Sequence, residues 1–159
     1  MNHQNLYLTH LYIYDEIIPA KSLGGIRLKD NIKNYSSIIN KNMLNGKLKF
    51  FQTNVYSCRY IFTDIPIEIN VDITSGEIYK ISALEGYQGK FRTIKIGMPI
   101  NDILNSNLGF YYDECEEAFF SKIIEGIALE VSEDDPPFEE AIKMNIKYIS
   151  VFDPTTFVQ

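Results

Sequence analysis

Between Asn101 and Glu140 the chain carries twelve carboxylates and a single lysine, Lys122. The acids are Asp102, Asp113, Glu114, Glu116, Glu117, Glu125, Glu130, Glu133, Asp134, Asp135, Glu139 and Glu140. This stretch therefore sums to −11 within a chain of formal charge −6, and taking −11 from −6 leaves +5 for the remaining residues. A field that is so unevenly placed steers a cationic partner towards one region. It repels phosphate backbones, which argues against nucleic acid as the ligand. Carboxylates can also hydrolyse glycosides in pairs or hold calcium, but neither acidic run has the EF-hand spacing with its central glycine. No metal site is expected.

Other catalytic chemistry finds little support. The histidines, His3 and His10, both lie near the N-terminus, and the cysteines, Cys58 and Cys115, are isolated from one another and from any CxxC spacing. Idle thiols in a reducing compartment are the expectation. A Cys/His dyad with His10 has no local support. The chain has no GxSxG, HExxH, GxxxxGK[ST] or GxGxxG, and Gly24 and Gly25 lack the lysine and hydroxyl of a phosphate loop. Neither an enzyme activity nor a cofactor is expected. The first residues show no basic region followed by an apolar run, which predicts a cytoplasmic protein without a membrane segment.

The elements that must position the acids follow from periodicity. Ile32, Tyr35, Ile39 and Met43 mark one face of a helix, with Asp30 placed to cap its start and Gly46 to end it. Ile100, Ile103, Leu104 and Leu108 mark a second, shorter helix opened by Pro99 and closed by Gly109. Strands are expected over Leu48 to Gln52, Val55 to Phe62, Ile65 to Ile73 and Glu77 to Leu84. After the second helix they are expected over Gly109 to Tyr112, Ala118 to Ser121, Ile123 to Val131 and Ile142 to Phe152. Thr74, Ser75 and Gly76 form a tight turn. The fold class is α+β with an antiparallel sheet, and 159 residues suit one domain.

The halves resemble each other. Ile26, Arg27, Leu28 and Ile32 match Ile94, Lys95, Ile96 and Ile100 at an offset of 68, and Ile78, Ile81 and Ser82 match Ile146, Ile149 and Ser150 at the same offset. An internal repeat with units of about 24–85 and 92–153 is expected, each a helix followed by an antiparallel sheet. Ile67 to Ile69 match Leu129 to Val131 at an offset of 62, so the second unit holds six extra residues. They fall between Ser132 and Ile142, in an acidic loop stiffened by Pro136 and Pro137. That loop is either a binding feature or a solvated connection. Tyr111 and Tyr112 precede the first acidic run and serve either as interface anchors or in cross-strand packing.

Taken in order, Ile94 to Met98, a short helix, Phe110 to Glu114, Glu125 to Val131, the acidic Asp-Pro loop and Ile146 to Phe152 resemble small bacterial immunity proteins. These are encoded beside polymorphic or contact-dependent toxins. Gly76 to Ile81 and Tyr87 to Phe91 also look like that group, so the resemblance covers roughly two thirds of the chain, from about Ile65 onward. The doubled helix-then-sheet plan is similar to the β-lactamase inhibitor proteins and to small outer-membrane lipoproteins in architecture alone. The resemblance implies a non-enzymatic cytoplasmic protein that occludes one cognate toxin domain. The charge suggests that this toxin is a basic nuclease. Asp113, Glu114, Glu116, Glu117, Glu133, Asp134, Asp135, Glu139 and Glu140 would steer and pair with it, and Tyr111, Tyr112 and Phe138 would anchor it. The alternatives are an assembly or scaffold module that binds a peptide or strand edge, and a hydrolase using paired acids. Oligomeric state does not follow from the residues.

Overall fold

The computed structural model describes residues 10–132, 134 and 136–156. His3, Glu133 and Asp135 lie outside them. A small hairpin of β1 (Ser22–Leu23) and β2 (Ile26–Arg27) precedes the first helical segment. That segment begins as a 3-10 turn at Ile32–Tyr35 and continues as α1 (Ser36–Leu44). Its cap is Asn31, whose side chain accepts from the Lys33 amide, and not Asp30. Asp30 is occupied elsewhere, accepting a 2.7 Å hydrogen bond from the Tyr35 hydroxyl.

Four strands follow: β3 (Leu48–Gln52), β4 (Ser57–Phe62), β5 (Ile67–Asp72) and β6 (Ile78–Ala83). The turn after β5 forms as expected, with Asp72 accepting from the Ser75 amide and Gly76 at φ +77°. Next come α2 (Ile100–Leu104), with Pro99 at its cap and not inside it, and the strands β7 (Phe110–Asp113), β8 (Ala118–Ser121) and β9 (Ile127–Glu130). A short helix, α3 (Phe138–Ala141), then precedes β10 (Tyr148–Phe152). The architecture is α+β with β predominating. Among the described residues no helix is long and apolar enough to cross a membrane.

All strands from β3 onward form one antiparallel sheet in the order β3-β4-β5-β6-β10-β9-β8-β7. Alternation gives the sheet two unlike faces. Ile67, Ile69, Ile81, Leu129, Ile149 and Val151 point into the core, where Leu23, Ile38, Ile100 and Ile103 from the hairpin and helices join them. Each such isoleucine or leucine, once buried, contributes roughly 1.5–3 kcal/mol. The other face is open and carries Arg59, Glu68, Lys80, Glu130 and Tyr148.

Three backbone hydrogen bonds recur at a fixed interval. Lys29 N donates to Ile78 O, Ile78 N to Asp30 O and Ile32 N to Gly76 O. Sixty-eight residues on, Gly97 N donates to Ile146 O, Ile146 N to Met98 O and Ile100 N to Met144 O. Lys29 and Gly97 both adopt positive φ, +69° and +91°.

Sheet register gives a different length for the β9–β10 connection, measured against β5–β6, than the expected six extra residues. Ile69 pairs with Ile81, and Leu129 pairs with Ile149. Ile149 stands 68 residues after Ile81 but Leu129 only 60 after Ile69, so the β9–β10 connection is longer by eight residues and not six. A two-residue slip keeps every side chain on the same face, so the apolar pattern could not distinguish the two alignments.

Candidate protein-binding site

The β7–β8 hairpin holds the first acidic run. Asp113 Oδ1 accepts from the Cys115 and Glu116 amides at 2.9 and 3.0 Å, an Asx turn that folds the chain back and leaves Glu114 and Glu116 exposed. Glu117 closes the turn at φ +55°. Of the tyrosines before it, Tyr111 faces the open side of the sheet, 39% exposed, with Lys122 Nζ 5.4 Å from its ring centroid. Tyr112 faces the core side and is half-buried.

The second acidic run starts after β9. Pro136 is buried, and Pro137 caps α3, so the segment expected as an irregular loop contains one helical turn. Proline at a helix start is favourable because its φ is already helical and no amide is lost there. Phe138 remains 44% exposed, and Glu139 and Glu140 occupy the first turn of α3. There, backbone amides favour negative charge.

These two acidic pieces, sixteen residues apart in the chain at their nearest acids, Glu117 and Glu133, meet at Tyr112 through Glu114 and Glu139. Its hydroxyl donates to Pro136 O at 2.8 Å, and its ring lies 4.9 Å from Phe119 and 6.1 Å from Phe138. A cleft of about 570 Å³ runs between them, lined by Glu114 on one side and Pro136, Pro137, Phe138 and Glu139 on the other, with Tyr112 as its floor. Asp134 lies exposed nearby in sequence, its amide donating to Ser132 Oγ.

Asp113 and Glu116 take a different direction from Glu114. They line a second hollow of about 410 Å³ on the open face, together with Tyr111, Phe120, Lys80 and Glu130. Lys80 Nζ stands 3.5 Å from Glu130 Oε1 there. The open-face residues Lys80, Phe120 and Phe152 were missed by sequence reasoning. The usable signal was alternation, since Lys80 and Ser82 interleave with the core residues Ile81 and Ala83.

The displaced titrations have structural causes elsewhere. Burial pushes the Tyr35 phenol up to about 12 and the Tyr87 phenol up as well. It also raises the Cys58 thiol, which is buried in β4, while the Ser75 amide holds Asp72 below its ordinary value. Among the described residues no cluster of three or more histidine, cysteine or carboxylate side chains is placed to hold a metal.

No family model matches the chain, and no curated protein matches it. Among solved structures it is similar to the uncharacterized protein yfeY from Escherichia coli, with a TM-score of 0.57 and 14% identity over 87% of this chain and 99% of that one. This is a likeness of fold. A cysteine-rich secretory protein from Staphylococcus aureus aligns with a TM-score of 0.46 and 15% identity, over 90% of this chain and 52% of that one. It carries no argument about function.

Proposed function

We propose that the protein is a non-enzymatic, cytoplasmic immunity protein that binds a cognate bacterial toxin domain, a basic nuclease, and occludes its active site. The observation that carries this reading is the meeting of the two acidic runs across the Tyr112 cleft. Glu114 and Glu139, one from each run, flank the exposed ring of Phe138, which is the anchor in the cleft, while Tyr111 offers a second exposed ring on the open face. Charge at the rim speeds encounter with a basic partner, and half-exposed aromatics in the middle supply the contact area that holds it.

The two units, about 24–85 and 92–153, are on this reading copies of one element that diverged. Their support is the set of backbone hydrogen bonds repeated 68 residues on, the strand order, and the repeat of the helix before each set of four strands. The eight additional residues then belong to the copy that carries the acids, which marks the site of specialisation.

The test uses the C-terminal domain of the protein encoded immediately upstream. Expressed alone in a test strain that domain arrests growth, and co-expression of this chain restores it. Reversing Glu114, Glu139 and Glu140 to lysine slows association with that domain by at least about tenfold at low salt and flattens its salt dependence. Growth arrest that co-expression leaves unrelieved, or an association rate indifferent to both the triple reversal and salt, overturns the proposal.

A further inference from the structure

The two edges of the sheet are unlike. At the β7 edge Tyr112 lies beneath the Pro136–Phe138 segment, and Glu114 and Glu139 stand beside it. Charge and a covering segment are the usual protection of an edge strand. At the β3 edge the five residues Leu48–Gln52 carry one charge, Lys49, and all but Leu48 are exposed, with Phe50 at 53% and Phe51 at 46%. Leu44, at the end of the neighbouring α1, is 88% exposed.

The pairing of β3 with β4 defines which groups it leaves outward. Thr53 N donates to Ser57 O, and Thr63 N donates to Lys47 O, so odd-numbered residues of β3 bond inward. Leu48, Phe50 and Gln52 therefore turn their N–H and C=O groups away from the sheet, and no described residue hydrogen-bonds to them.

We propose that the β3 edge pairs with the β3 edge of a second copy of this chain, joining two eight-stranded sheets into one. An antiparallel pairing about a two-fold axis at Phe50 places Phe50 opposite Phe50 and Leu48 opposite Gln52. All three outward residues of each strand then exchange hydrogen bonds, six in all. The same register puts Lys49 opposite the other copy's Phe51, an ammonium against an aromatic ring, on the open face. Shifting the axis to residue 49 would set lysine against lysine, and shifting it to residue 51 would strand Leu48 beyond the pairing. The edge is thus self-complementary in one register, which is what a closed two-fold interface requires. The acidic clefts end up at the two far edges, so the dimer leaves both free. This inference stands independently of the toxin reading.

The experiment measures mass in solution by sedimentation from micromolar to about millimolar chain, the range expected of an interface of modest area. The expected result is a species of twice 18.4 kDa that dissociates on dilution. Because residue 50 opposes itself only in this register, F50K alone and F50E alone should each raise the dissociation constant at least about tenfold. An equimolar mixture of the two should recover a heterodimer. Amide exchange of the unsubstituted protein provides a check that needs no variant: Leu48, Phe50 and Gln52 should become protected as concentration rises. A wild-type chain that remains monomeric throughout, with those amides unprotected, overturns the proposal. So does a dimer that both single variants leave intact, or a mixture of well-folded variants that does not associate.

Discussion

Ser82 on β6 and Ser150 on β10 face each other across the central strand pair, their hydroxyls 2.8 Å apart and both side chains buried. They are 68 residues apart in the chain, the same interval that separates the recurring backbone hydrogen bonds. The strands run antiparallel with Ile81 opposite Val151 and Ala83 opposite Ile149, on either side of the serine pair at the centre of the sheet.

Removing one member of this pair leaves the other hydroxyl without its partner. Ser150→Ala should cost about 0.5–1.5 kcal/mol, because the Ser82 hydroxyl loses that bond at the floor of the open-face hollow it lines. The Ser82→Ala/Ser150→Ala double variant should cost clearly less than the two single changes added together. Urea unfolding followed by circular dichroism measures all three, and strict additivity would show that the pair is not coupled.

Tyr112 joins the acidic hairpin to α3 through the bond to Pro136 O. Tyr112→Phe removes that bond and keeps the ring contacts, a loss of about 1 kcal/mol. Amide exchange should accelerate at Ala141 and Ile142, which bond to Pro137 O and Phe138 O, while the β6–β10 amides keep their protection. Unchanged exchange at Ala141 and Ile142 would mean that the segment holds its place without Tyr112.

Alkaline pH should weaken the fold through its buried phenols. Tyr35 stands at about 12 when folded, against 10.0 for the free side chain, so the unfolded chain releases its proton first. Between about pH 10 and 12 the folded state holds more protons, and stability falls as pH rises. The loss from Tyr35 is about 2–3 kcal/mol, and Tyr87 shifts in the same direction. At the acid end Asp72 and Asp153 sit below their ordinary value when folded, so their contribution is present above about pH 4 and lost as pH falls below it. Unfolding free energies of wild type and Tyr35→Phe from pH 8 to 12 check the alkaline limb, which should be shallower in the variant.

Several elements were legible from residues alone. Leu48–Gln52 and Ala118–Ser121 form with the expected ends, because turn residues bound them on both sides. The expected strand Ile123 to Val131 shrinks to Ile127–Glu130. Ser121 Oγ captures the Ile123 and Ile124 amides in a local turn, and a hydroxyl competing for backbone groups leaves no trace in hydrophobic periodicity. The expected strand from Ile142 begins only at Tyr148, since α3 uses the chain up to Ala141 and Pro99 bridges to Asn145.

By itself the sequence determined the concentration of charge between Asn101 and Glu140, the apolar alternation that makes strands, and the interval of 68 residues, all of which are properties of local order along the chain. Only the tertiary structure decided that Glu114 shares a cleft with Phe138 and Glu139 while Asp113 and Glu116 turn to the open face. It also decided that β3 is an edge and that Ser82 meets Ser150. The reason is physical: strand order and register arise from burying Ile69, Ile81, Leu129 and Ile149 in one core, and contacts across such a sheet join residues whose separation no local pattern records.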